Sequence, residues 1–219
     1  MVGIEGIYQR HGETCVQETR RSWAKVTFSA TKAKVKNRGT PPDSFLTELV
    51  TWGRSAASEI FAPNPNPSDI YSDVQLILGP WQSLLHRRAA MLEVMRVHAG
   101  FESSWNWNCA KDPGNKNPDP KSWETGAWQV SFDSTEIDHG AMKSFAVDHG
   151  VGNYGSFITE MKRNHPLAME YYARLVRVSI QWAGPLKRHE IDPWLSATSV
   201  SEFQELLSSA DRSTDFSFL

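Results

Sequence analysis

"GPWQSLLHRRAAMLEVMRVHAGFESSWNWN" (residues 79–108) is the stretch on which the fold turns. Met91, Met95, Ala99 and Glu102 recur at the three-to-four spacing of one helix face, and Leu92, Val94 and His98 flank that stripe. Arg87, Glu93 and Arg96 fall toward another side. Pro80, after Gly79, suits the first turn of a helix. The spacing predicts a long helix that turns an apolar face to a core and ends at Glu102. A carboxylate closing a buried stripe is costly unless it is paired or neutral. A carboxyl group held neutral near pH 7 is what a general acid requires. The bland alternative is a glutamate at a frayed helix end, tipped into water.

The chain around this helix has 219 residues, 40% of them hydrophobic, enough for a sizeable core and too many for global disorder. No run approaches the ~18–20 apolar residues of a membrane span, so no membrane insertion is expected. The opening "MVGIEGIYQRHGETCVQETRR" (1–21) lacks the basic-then-apolar pattern of a signal peptide. The expectation is synthesis in the cytoplasm and, for action outside it, export by a route other than Sec. A net charge of −2 argues against a general nucleic-acid binder. The basic residues between Arg20 and Arg38 read as a solvated face. Cys15 and Cys109 allow either one disulfide, worth about 4–5 kcal/mol in the entropy model, or two free thiols. Their spacing is not that of a zinc site. His139, His149 and His165 show no ligand periodicity, so neither metal nor cofactor is expected. His98 stands one turn before Glu102, within bonding reach, yet a lone histidine there reads first as a core residue.

Residues 1–40 are mixed, and "FLTELVTWGRSAASEIF" (45–61) has helical spacing. "APNPNPSD" (62–69) breaks the chain, dividing it into a 1–69 extension or bracing segment and a 70–219 domain. A short helix is expected around 70–78. "KDPGNKNPDPKSWETG" (111–126) must be a loop, and loops of that length in compact domains are usually functional. "GAWQVSF" (126–132) suits a strand or a buried turn. Helices are expected again near Ala141, near Tyr154 and from Pro166 to Trp182, with Ser199 and Glu202 matching a capping box. The chain therefore reads as mostly α with a small β element beside the site.

A helix-end acid followed by a polar loop with further carboxylates suggests glycoside hydrolysis. That reaction needs one protonated acid and usually a second carboxylate. Asp112, Asp119, Glu124 and Asp133 are available. Asp112 and Asp119, each beside a proline, look like turn residues. Glu124 is either a solvated loop charge or the second carboxylate. Gly126 lets backbone approach a ligand closely, and the Gln129 amide both gives and accepts hydrogen bonds. Trp105, Trp107, Trp123 and Trp128 cluster after Glu102; such rings stack on sugars or fill cores.

"GFESSWN" (100–106), "TGAWQVS" (125–131) and "QWAGP" (181–185), in that order, resemble the lysozyme-like superfamily, in particular goose-type lysozymes and soluble lytic transglycosylases. The resemblance covers Ala89 to Pro185. It implies a lysozyme-like α+β fold with a cleft, and makes 70–219 the catalytic domain. It implies that Glu102 is the catalytic acid and that Ser103 supports it. Gly126 to Gln129 match a Gly-x-x-Gln segment across the cleft, with Trp128 where methionine is usual. Gln181 and Trp182 stand where the transglycosylases have Tyr and Asn, and Ser131 where goose-type lysozymes have Asp. Those departures leave Glu124 or Asp133 to position water, with Glu124 preferred. Ser103, Gly126, Trp128, Gln129, Ser131 and Trp182 are then the expected substrate contacts.

The implied activity is that of a muramidase cutting the β-1,4 bond between N-acetylmuramic acid and N-acetylglucosamine in peptidoglycan. A lytic transglycosylase giving anhydro products and a chitinase- or chitosanase-like hydrolase are the alternatives among enzymes. A catalytically dead wall- or partner-binding module is the alternative of another class, expected if Arg96 or Arg177 bridges Glu102. The implied partners are peptidoglycan glycan strands, with no nucleic acid. The setting is that of a phage lysin or of a type VI secretion effector, an antibacterial toxin whose cleft an immunity protein would plug.

Overall fold

The computed structural model describes residues 27–209. Among them the chain forms nine α-helices: α1 (Asp43–Ser55), α2 (Ile70–Asp73), α3 (Gln75–Leu78), α4 (Leu84–Ser103), α5 (Ile137–Asp148), α6 (Tyr154–Arg163), α7 (His165–Val178), α8 (Gly184–Lys187) and α9 (Ala197–Ser208). Mostly α is thus the class of the described chain. In place of the β element expected near 126–132 there is one isolated antiparallel bridge, Thr125 with Val130. Gly126 and Gln129 both take positive φ, 73° and 46°, which folds the chain back before a strand can extend.

Helix α4 is the axis of the molecule. Its 20 residues span roughly 30 Å at 1.5 Å per residue. It begins at Leu84, four residues later than Pro80 suggests, because Ser83 caps it: the Ser83 hydroxyl accepts the His86 N–H at 3.0 Å. It ends where Ser104 turns left-handed, with φ 56°. Fifteen of its residues are buried, Arg87, Glu93 and Arg96 among them. The side expected to face away from the apolar stripe is therefore also covered, and α4 is enclosed all round. Enclosure is tolerable because the charges are paired. Glu93 and Arg96, both 0% exposed, share two bonds of 2.7 Å. Arg96 also donates to the Ala33 and Trp194 carbonyls, and Glu93 accepts the Ser196 N–H at 2.9 Å. Arg87 donates to the Phe61 carbonyl at 2.6 Å.

Helix α9 packs along α4, and α1 packs on α4, α7 and α9, while α5 and α6 pack on α7. Phe45, Leu46 and Leu49 of α1 belong to the same core as Met91, Met95 and Ala99 of α4. The segment 62–69 is held against α7: Arg177 donates to Asp69 at 2.8 Å and to the Ala62 carbonyl at 2.6 Å, and Asn66 donates to the Arg177 carbonyl at 3.2 Å. At α9 the expected capping box does not form. Ser196 is the cap, accepting the Ser199 N–H. The Glu202 carboxylate instead reaches back across the fold, accepting the N–H groups of Ser29 at 2.7 Å and Thr31 at 2.6 Å. No helix among the described residues is long and apolar enough to cross a membrane.

Candidate active site

The end of α4 carries Glu102 out of the core. Its side chain is 24% exposed, whereas His98, one turn earlier, is 0% exposed. Beyond the helix, Trp105 folds back onto it: the indole N–H donates to the Arg96 carbonyl at 2.8 Å. Gly100 makes that return possible, since a Cβ there would lie 2.7 Å from the Trp105 ring. The Ser103 hydroxyl donates to the Ala127 carbonyl at 2.8 Å and accepts the Asn106 N–H at 3.0 Å. Ser103 thus ties the helix end to the 125–130 turn, a bracing role beneath the site.

That turn lies against α6. Gly126, at φ 73°, passes so close to the Met161 carbonyl that a Cβ would sit 2.8 Å from its oxygen. Trp128 points inward, not to solvent. Its N–H donates to the Met95 carbonyl at 2.9 Å, and its ring stacks on Tyr172 with centroids 4.9 Å apart. Gln129 is nearly buried and donates to the Gly126 carbonyl at 3.0 Å. Of the tryptophans clustered after Glu102, Trp105 and Trp128 fill the core and Trp107 stacks on His165. Trp123 donates to the Asn117 carbonyl and lies under the Lys111 ammonium.

Two cavities meet at Glu102. One, of about 580 Å³, is lined by Glu102, Glu124, Gln129, Ser131, Asp133 and Trp182, with Gly184 and Arg188 at its edge. The other, of about 430 Å³, adds Arg38, Cys109 and Lys111. Both include Asp112, Glu124 and Gln129, so together they make one groove that passes over the acid. The 111–126 loop borders this groove through Lys111, Asp112 and Glu124. Asn115 donates to both oxygens of Glu124, at 3.0 and 2.9 Å. Asp112 and Asp119 form turns, accepting the N–H groups of Gly114 and Lys121, although Asp112 also borders the groove. Ser131 precedes the 3-10 turn Phe132–Glu136. Asp133 is exposed.

The third motif reaches the groove by a different route from the one expected. Helix α7 ends at Val178, not Trp182, with the Ser179 N–H bonded to the Leu175 carbonyl. Gln181 to Ala183 form a turn into α8, where Pro185 occupies the first turn. Trp182 thereby lines the groove, and its buried indole N–H has no acceptor among the described residues. Ser103, Gly126 and Trp128 are the expected contacts that the fold keeps out of the groove.

Arg96 is engaged with Glu93 and Arg177 with Asp69, so neither bridges Glu102. The Glu102 carboxyl is instead met by His98, whose Nε2 lies 3.1 Å from Oε1. At the rim, Arg188 bonds Glu190 at 2.6 Å. That bond raises the guanidinium pKa, and the Glu102 charge adds a smaller push in the same direction. Burial pushes the Cys109 thiol up, and the charges of Glu102 and Asp112 add to this against Lys162. Cys15 lies outside the described residues, and with it the question of a disulfide to Cys109. No cluster of three or more His, Cys, Asp or Glu among the described residues is arranged to hold a metal ion. Sequence spacing alone did not single out Arg38, Asn115 or Arg188 for the site, since nothing local distinguishes them from surface residues. Comparison with known proteins finds no matching family model, no matching curated protein and no matching solved structure.

Proposed function

We propose that the protein is a muramidase that hydrolyses the β-1,4 glycosidic bond between N-acetylmuramic acid and N-acetylglucosamine in peptidoglycan, with Glu102 as general acid and Glu124 as general base. The observation that carries this reading is the groove over Glu102. A carboxyl group at the end of a buried helix opens into it without an arginine partner, and a second carboxylate lines the same cavity. A groove continuing on both sides of the acid suits a polymer bound across the site better than a small molecule in a closed pocket.

In this mechanism Glu102 gives its proton to the glycosidic oxygen as the bond to the anomeric carbon breaks. Water adds to that carbon and loses a proton to Glu124, whose two oxygens are held by Asn115. Solvent exchange returns the proton from Glu124 and reloads Glu102. Gln129, Ser131 and Trp182 border the path of the glycan. Ser103 and Gly126 act from below, fixing the helix end and the 125–130 turn. Trp128 supports the site through its contact with Tyr172. A lysozyme-like architecture, with the 125–130 bridge as all that stands for its β element, accords with this chemistry. The hydrolytic route is preferred over transglycosylation because Glu124 shares the groove, and because no tyrosine hydroxyl bonds Glu102 directly among the described residues. An exported toxin or lysin acting on a target cell's wall, with an inhibitor protein occupying the groove in the producer, fits the same reading.

The test is Glu102→Gln, which keeps the shape of a protonated carboxyl group but has no acid proton to give. Clearing of purified cell wall should fall by about 10²–10⁴-fold, with the melting temperature close to that of the unaltered protein. Equal clearing by the variant would remove Glu102 from the chemistry. Faster cleavage of chitin oligomers than of peptidoglycan would move the substrate class.

A further inference from the structure

The contact between His98 and Glu102 continues inward. His98 Nε2 lies 3.1 Å from Glu102 Oε1, and its Nδ1 lies 2.7 Å from the Tyr172 hydroxyl. His98 and Tyr172 are both 0% exposed. Tyr172 is clamped by rings, stacked on Trp128 and edge-on to Trp182 at 6.4 Å. Burial pushes the Tyr172 phenol well above its ordinary range, so it keeps its hydrogen.

The direction of the hydrogen bonds follows from where that hydrogen can go. His98 Nδ1 is the hydrogen-bond partner of the Tyr172 hydroxyl, and an unsatisfied buried donor costs about 1–3 kcal/mol. The phenol therefore donates to Nδ1. A ring nitrogen that accepts carries no proton, so the imidazole proton sits on Nε2. Nε2–H then donates to Glu102 Oε1. Either other state, an Nδ1–H ring or an imidazolium, would aim a hydrogen at the phenol oxygen and leave the phenol's own hydrogen facing apolar packing.

We propose that Tyr172 and His98 form a buried relay of positioning residues that holds Glu102 Oε1 as an acceptor and leaves Oε2 to present the acid proton to the groove. No proton travels along the relay. When Oε2 gives its proton to the leaving oxygen, the carboxylate that remains is held by the same His98 N–H. The consequence for catalysis rests on the muramidase reading; the hydrogen-bond order does not. Tyr172 and His98 are both fixed by packing, so the acid is held in one orientation, and a misplacement of about 1 Å is enough to cost about 10²-fold in rate.

The experiment uses the full chain with ¹⁵N-labelled histidine. Ring nitrogen NMR at pH 7, with His98 assigned from the signal lost in His98→Gln, should show a proton on Nε2 and none on Nδ1. Tyr172→Phe should keep the proton on Nε2, because an Nδ1–H would then be a buried donor without an acceptor while Glu102 still accepts. A wild-type His98 protonated on Nδ1, or on both nitrogens, overturns the relay. In cell-wall assays His98→Asn, whose amide occupies the Nδ1 position and cannot reach Glu102, should lose about 10²-fold in kcat with KM unchanged. His98→Gln, whose amide nitrogen falls where Nε2 was, should recover at least about tenfold of that loss. A His98→Asn protein with the wild-type kcat overturns the relay while leaving Glu102 as the acid. Should His98→Asn not fold, the double change His98→Phe with Tyr172→Phe removes both buried polar partners together and should fold with the same loss of kcat; wild-type kcat in that protein equally overturns the relay. Wild-type protein that shows the Nε2–H tautomer but cleaves no wall supports the relay and overturns the muramidase reading.

Discussion

Glu93→Gln is expected to destabilise the protein severely, because it leaves a buried cation without its counter-charge. The Glu93 and Arg96 side chains are both 0% exposed and share two 2.7 Å bonds. Glutamine keeps the shape but offers the guanidinium one acceptor and one opposing N–H group. Arg96 retains only the carbonyls of Ala33 at 3.0 Å and Trp194 at 3.3 Å. Breaking one side of a buried pair costs about 3–5 kcal/mol. At about 2–4 °C per kcal/mol for a domain of this size, the melting temperature should fall by about 6–20 °C. Thermal unfolding followed by circular dichroism measures this. The double change with Arg96→Met removes the unpaired charge and should cost less than the two single losses added, by about 1–3 kcal/mol. A fall of less than about 2 °C for Glu93→Gln, or strict additivity in the cycle, would refute the view that this pair makes the enclosure of α4 tolerable.

Glu202→Ala should release the Ser29 and Thr31 N–H groups and cost about 1–3 kcal/mol in urea unfolding, since its carboxylate holds both at 2.6–2.7 Å. Gly126→Ala should cost about 1–3 kcal/mol from its positive φ alone, and more from the approach of its Cβ to the Met161 carbonyl; its melting temperature and wall clearing should fall together. In a Cys15→Ser background, Cys109 should alkylate more slowly at pH 8 than an exposed thiol, because burial raises its pKa and the thiolate is the reactive form. Asp112→Asn should speed that alkylation by removing a charge that raises the thiol further, a change readable by mass spectrometry.

What the sequence made legible followed from periodicity and punctuation. The 3.6-residue pattern of 84–103 marked the central helix and the acid at its end, and the Pro, Gly and Asn of 111–126 marked the loop beside it. Three short motifs far apart in the chain come together around one groove. Contacts between distant segments were not legible. Periodicity sees one helix and its own faces, so it placed Glu93 and Arg96 on an outer side that Ser196, Ala33 and Trp194 in fact cover. The Ser199–Glu202 spacing signals a local cap, but the carboxylate finds better donors in the Ser29 and Thr31 backbone, 171–173 residues away. Trp128 sits in a motif that suggests substrate contact, yet its ring is drawn inward by the Met95 carbonyl and Tyr172. His98 reads as a core histidine and is one; its second partner, Tyr172, is 74 residues away and has no sequence signal linking it to His98.

The most direct test of the central claim is mass analysis of the material that purified peptidoglycan releases to wild-type protein and to Glu102→Gln, side by side at matched concentration. Anhydro-muramic ends in the wild-type products would assign transglycosylation in place of hydrolysis. If Glu102 is the acid of a muramidase, the wild type releases fragments with reducing N-acetylmuramic acid ends, and the variant, folded and equally stable, releases almost none. Intact wall after wild-type treatment, or the same fragments in the same yield from Glu102→Gln, would contradict it.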